Sequence, residues 1–189
     1  HGGLEKITAD KPPLFAIPTT SGTGSEVGRA SLVTMASGEK LGLISPHMIP
    51  TVAVCDPALT LGLPPPLTAA TGVDAISHCV ETFSSPRENP VADAIAIDGL
   101  ERALRWIRRA VEDGANIEAR SEMMMASLQG GLTFQKGLGM IHSLSHPLGG
   151  LTEKRIHHGM LNGVFLPNVI RFNASAIPQK MERLSLIHI

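Results

Sequence analysis

Three consecutive prolines, Pro64-Pro65-Pro66, constrain this chain more than any other feature. Each proline fixes φ at about −65° and lacks a backbone N–H, so the run cannot lie inside a helix or pair within a sheet. It can, however, end one region and start a helix, because proline is tolerated in a helix's first turn. The sequence changes texture there. From Leu14 to about Asp56 the apolar runs are short, rich in Ile, Val and Thr, and broken by Gly, Ser and Pro. That pattern predicts strands at Leu14–Ile17, Ala30–Met35, Leu41–Ile44 and Thr51–Cys55. The first runs into the small-residue loop Pro18-Thr19-Thr20-Ser21-Gly22-Thr23-Gly24-Ser25. A buried strand ending in such a loop is how open α/β sheets build ligand sites.

Beyond the prolines the apolar spacing becomes helical. Helices are predicted over Leu67–Phe83, Pro90–Val111 and Ile117–Phe134, then over Met140–Leu148, kinked or ended by Pro147, and over Gly159–Arg171. The fold class read from this is an α/β part over residues 1–63 followed by an all-α part over residues 64–183. The last stretch, Leu184 to Ile189, resembles translated adapter sequence more than the continuation of a helical domain, and is set apart from the fold. The chain opens His1-Gly2-Gly3 without an initiator Met, so it is expected to be an interior piece of a longer protein, truncated at both ends.

Charge excludes some partners. The net charge is −1 and the one dense basic cluster, Arg102, Arg105, Arg108 and Arg109, is interleaved with Leu104, Trp106 and Ile107. It reads as the wet face of an amphipathic helix, so neither nucleic acid nor an anionic membrane is expected as a partner. No run approaches the roughly 18 apolar residues of a membrane span. Cys55 and Cys79 lie far apart in unlike contexts, which argues against a disulfide framework and for a cytoplasmic location.

Histidine carries the chemistry. Of eight histidines, four fall between Ile141 and His158. Asp74 and His78 are four apart on a predicted helix, which stacks them on one face, where they could chelate a divalent ion or simply hydrogen-bond. His142 and His146 repeat the spacing, and His157-His158 opens the next helix. Donor clusters on three helices favour a shared metal site over packing. Imidazoles with one carboxylate suit Fe(II), Zn(II), Co or Ni better than Mg or Ca.

Taken in order, P-T-T-S-G-T-G-S-E, D-P-A-L-T-L-G-L-P-P, G-V-D-A-I-S-H, I-H-S-L-S-H-P-L-G-G and H-H-G-M-L-N resemble the iron-containing (group III) alcohol dehydrogenases, from about Leu14 to Asn173. The resemblance implies a dehydroquinate synthase-like fold, with a dinucleotide-binding α/β domain followed by a helical metal domain. It implies Asp74, His78, His142 and His158 as ligands of Fe(II), with Zn(II) the alternative. His158 is preferred to His157 because it directly precedes Gly159-x-x-Asn162. The resemblance also implies that His146 lies near substrate and nicotinamide as a proton relay. Thr19, Thr20, Thr23, Lys40 and Leu59 match contacts to NAD or NADP. Gly28 departs from the pattern, since many relatives place Thr there.

The function implied is hydride transfer between a metal-bound alkoxide and nicotinamide, interconverting a small alcohol and its aldehyde or ketone, in a parent that is a homodimer or larger homo-oligomer. The piece alone is expected to be inactive. Two rivals remain: a Zn-dependent glycerol-type dehydrogenase or dehydroquinate synthase-like lyase of the same superfamily, and a non-catalytic metal-binding helical module. The Thr19–Ser25 loop counts against the last.

Overall fold

The computed structural model describes residues 3–36, 40–149 and 156–188. Four short strands come first. Strand β1 (Phe15–Ala16) pairs in parallel with β4 (Val52–Ala53), in the register Phe15 to Val52 and Ala16 to Ala53. Strands β2 (Ala30–Thr34) and β3 (Lys40–Ile44) form an antiparallel pair running from Ala30 opposite Ile44 to Thr34 opposite Lys40. All four fall on or next to the predicted runs, and the outer two are shorter than predicted, at two residues each.

The prolines start a helix, as anticipated. Helix α1 (Pro65–Ser84) is followed by α2 (Pro90–Glu112), α3 (Ile117–Leu132), α4 (Met140–Gly149), α5 (His158–Asn173) and α6 (Pro178–Ser185). Side-chain caps set the starts of α2 and α3: Asn89 accepts from the Ala92 N–H at 3.1 Å, and Asn116 from the Ala119 N–H at 2.9 Å. Pro147 does not end α4, which runs on to Gly149.

Helix α1 is the centre of the helical part. Every residue from 74 to 83 is buried, so this stretch of the helix has no wet face. Its hydroxyls are satisfied by its own backbone: Thr71, Ser77 and Thr82 donate to the carbonyls of Leu67, Val73 and His78 at 2.7–2.9 Å. Ile76, Cys79 and Val80 of α1 pack with Leu100 and Ala103 of α2 and with Ala119, Met123 and Ala126 of α3. Small residues dominate this contact, which lets three helices approach closely. Arg105, Arg108 and Arg109 are exposed, the wet face expected of α2.

The stretch set apart at 184–189 touches this core over its described part. Leu184 and Ile187 pack against the clusters around Leu100 and Phe83, three residues apart and hence on one face. Lys180 anchors α6 by donating to the carbonyls of Phe83 and Ser85 at 2.6 and 2.7 Å, which lie at the C-terminal end of α1. Among the described residues, no helix is long and apolar enough to cross a membrane.

Candidate metal and cofactor site

Four donor residues predicted from three separate motifs meet at one point. Asp74 Oδ1 lies 3.6 Å from His78 Nε2, 3.4 Å from His142 Nε2 and 3.6 Å from His158 Nε2. Asp74 and His78 come from α1, His142 from the first turn of α4 and His158 from the first residue of α5. Metal–ligand bonds of about 2.1 Å at tetrahedral angles separate ligand atoms by about 3.4 Å, so these spacings suit a shared divalent ion. Asp74, His78 and His142 are buried, which rules out an accidental surface grouping.

A second observation fits a cation. Asn162 is fully buried and points its amide nitrogen into the cluster: 2.7 Å from Asp74 Oδ1, 3.3 Å from His142 Nε2 and 3.2 Å from His158 Nε2. Its Oδ1 is buried without a partner. A lone N–H₂ group surrounded by a carboxylate oxygen and two imidazole nitrogens sits where electron-rich atoms await a positive centre. Burial raises the Asp74 carboxyl, but His78, His142 and His158 outweigh it and bring it down to about 2. Burial dominates at His78 and lowers it to about 4 despite Asp74.

Tight packing delivers the ligands. A Cβ on Gly159 would lie 2.0 Å from the Ala70 carbonyl oxygen, so only glycine lets α5 reach α1 closely enough for His158 to face Asp74. His157 has a different job: its Nδ1 accepts the Gly159 N–H at 3.2 Å and caps α5. The geometry thus distinguishes the adjacent histidines. His146 joins the edge of the cluster, its ring 5.6 Å from that of His142 and 4.8 Å from that of His158. His142, His146 and His158 also form a compact donor group, which leaves His146 facing the same space.

The predicted dinucleotide loop sits directly on this site. Gly22 O is 3.1 Å from His78 Nδ1, fixing the imidazole from behind so that Nε2 faces Asp74. Gly24 adopts φ +58°, and a Cβ on Gly131 of α3 would lie 2.4 Å from the Gly24 carbonyl oxygen. Two glycines therefore press the loop onto α3. Thr19 and Thr23 are exposed and Thr20 is half-buried, leaving the hydroxyls at the surface of the seated loop. Thr23 Oγ1 bonds Ser25 Oγ at 3.0 Å. Leu59 stands 47% exposed on the turn Pro57–Thr60, which packs on α3 as the turn Ser25–Val27 does. Lys40 opens β3, but its side chain lies outside the described residues. Gly28 is buried, with Phe134 3.7 Å from where a Cβ would stand.

One functional candidate escaped the sequence reading. Glu81 is buried, its Oε2 2.5 Å from His142 Nδ1 and its Oε1 accepting the Ile141 N–H at 2.6 Å. The signal was present: Glu81 follows Asp74 and His78 by seven and three residues, on the same helix face.

The profile of the "Fe-containing alcohol dehydrogenase family, C-terminal" matches residues 68–188, and that of "Iron-containing alcohol dehydrogenase" matches residues 2–57. The chain is 58% identical, over 93% of its length and 47% of the relative's, to a 4-hydroxybutyrate dehydrogenase of Cupriavidus necator. It is 43% identical, over 95% of its length and 46% of the relative's, to a 1,3-propanediol dehydrogenase of Citrobacter freundii. It thus spans about half the length of the curated relatives it matches. The crystal structure of sulfoacetaldehyde reductase from Bifidobacterium kashiwanohense in complex with NAD+ is similar at TM-score 0.83 and 36% identity, over 88% of this chain and 44% of that one.

Proposed function

The chain belongs to the iron-containing alcohol dehydrogenase family, and from that premise we propose that it carries the metal-binding half of an NAD(P)-linked dehydrogenase of small alcohols. The observation that carries the reading is the convergence of three imidazole nitrogens on Asp74 Oδ1 at 3.4–3.6 Å. Asp74, His78, His142 and His158 would hold Fe(II), or Zn(II). Such an ion supplies Lewis acidity, lowering the pKa of an alcohol hydroxyl and polarising a carbonyl.

The chain's own residues do the rest. One carboxylate and three neutral imidazoles leave a divalent ion with a net charge of about +1, enough to attract a hydroxyl oxygen. The Thr19–Thr23 loop offers hydroxyl and N–H donors to a dinucleotide phosphate or ribose without side-chain bulk. Its contact with His78 through Gly22 O brings the cofactor loop against the metal ligands, which favours a nicotinamide close to the substrate carbon. His146, half-buried beside His142 and His158, is placed to pass the hydroxyl proton outward, since an imidazole titrates near neutrality. The 58% identity to a 4-hydroxybutyrate dehydrogenase favours a small ω-hydroxy acid as substrate, with a diol next.

The test uses the full-length parent enzyme, loaded anaerobically with Fe(II). NADH formation is followed with 4-hydroxybutyrate, 1,3-propanediol and ethanol in turn, in wild type and His142→Ala. The reading expects metal-dependent turnover that is abolished in the variant. Unchanged metal content together with unchanged turnover in His142→Ala would refute it.

A further inference from the structure

Each imidazole that presents Nε2 to an ion needs its Nδ1 held from behind, because the partner of one nitrogen decides which carries the proton. For His78 a backbone carbonyl, Gly22 O, does this. For His142 the partner is charged. Glu81, 6% exposed, reaches from α1 and places Oε2 2.5 Å from His142 Nδ1. Its other oxygen takes the Ile141 N–H at 2.6 Å. That N–H is one of the first-turn donors of α4 without an intrahelical acceptor. One buried carboxylate therefore caps α4 and grips the ligand that α4 carries.

We infer that Glu81 is a positioning residue that fixes the tautomer of His142, holding the proton on Nδ1 so that Nε2 offers its lone pair to the ion. The inference rests on the metal-site reading given above. It goes further by assigning a role to a fifth ionisable side chain, which would not itself bind the ion. The carboxylate also adds a second negative charge within reach of the ion, bringing the site with its ion close to neutrality. A buried divalent charge is held more tightly when its surroundings neutralise it.

A purely structural role, capping α4, makes a different forecast. Glu81→Gln separates the two. Glutamine keeps the length, the volume and a carbonyl oxygen for the Ile141 N–H. Its amide N–H₂ then faces His142 Nδ1, which must accept, and the ring proton is driven to Nε2, where it blocks the metal. The experiment titrates the metal-free full chain with Co(II) against a competing chelator, reading the visible ligand-field bands, alongside thermal unfolding of the metal-free protein. Glu81→Gln is expected to keep the fold, melting only modestly below the wild type through loss of the charged partner of His142, and to bind Co(II) about 10–100-fold more weakly. Glu81→Ala is expected to lose both affinity and metal-free stability.

Wild-type Co(II) affinity in Glu81→Gln would overturn the inference while leaving the metal site standing. A wild-type chain that binds no Co(II) would overturn both. Should Glu81→Gln fail to fold, ¹⁵N histidine spectra of the Zn(II)-loaded wild type decide the matter: Nδ1–H on His142 is expected, and Nε2–H would overturn the inference.

Discussion

Gly131→Ala tests whether the cofactor loop and the metal site are mechanically joined. An alanine Cβ at this position would lie 2.4 Å from Gly24 O and 2.9 Å from both Gly24 Cα and Val27 Cγ2. Reaching an ordinary contact requires roughly 1 Å of separation between α3 and the loop. A displacement of that size carries Gly22 O from 3.1 Å to about 4 Å from His78 Nδ1, beyond hydrogen-bonding range. Overpacking costs about 1–3 kcal/mol, offset by up to about 1 kcal/mol for replacing a helical glycine with alanine. Net destabilisation of the metal-free chain should be about 1–2 kcal/mol, with divalent-metal affinity reduced about tenfold through the loosened His78. Chemical denaturation and chelator-competed Co(II) titration read the two effects. Gly62→Ala, where a Cβ would meet nothing within 4 Å, serves as control. Wild-type stability and metal affinity in Gly131→Ala would refute the idea that the loop's seat on α3 orients His78.

The adjacent histidines should separate cleanly. His157→Ala removes a helix cap and is expected to cost about 0.5–2 kcal/mol with metal retained, whereas His158→Ala should lower metal affinity at least tenfold at little cost in stability, as measured by metal analysis and denaturation. In the metal-free chain, burial lowers the His142 imidazole, but hydrogen bonds to Asp74 and Glu81 outweigh it and raise it to about 9. The ordinary value is about 6.5, so His142's contribution to stability is complete below about pH 6.5 and is lost as pH rises through about 9. His78, held down to about 4, acts oppositely, its contribution being lost as pH falls from about 6.5 towards 4. Metal-free stability measured by denaturant titration should therefore decline on both sides of about pH 6.5. A metal ion must expel the His142 proton, so affinity should climb between pH 6.5 and 9. Arg120 is buried and donates to Gly114 O, Thr68 Oγ1 and Leu63 O at 2.8–3.1 Å. Arg120→Met should cost about 3 kcal/mol in a denaturation series by stranding those acceptors.

The helical half was legible because its patterns are local. Pro65 and Pro90 stand in the first turns of α1 and α2, Asn89 and Asn116 cap α2 and α3, and the four-residue spacing of Asp74 and His78 needed only one turn of helix to become adjacency. Four ligands could be named because they sat in three ordered motifs. What the sequence hid is what depends on contact between distant segments. Glu81 lies on the ligand helix outside any motif, and its meaning comes from Ile141 and His142, 60 and 61 residues away. The grip of Gly22 O on His78 spans 56 residues. Asn162 was visible as a letter in a pattern, but its place among the donor atoms needed α5 seated on α1 through Gly159. Leu184 and Ile187 were set apart because the last stretch resembles adapter sequence; in the structure both pack against the core. His157 and His158, separated in the sequence only by their place relative to Gly159-x-x-Asn162, part ways in the structure because one lies before the helix and the other within it.

The most direct test of the account is the metal content of the full chain after anaerobic loading with Fe(II) and removal of excess ion. Asp74, His78, His142 and His158 forming one site predicts about one ion per chain, with binding lost on His142→Ala and on Asp74→Ala while both variants remain folded. A wild-type chain that retains no ion, or variants that retain it in full, would contradict the account at its centre.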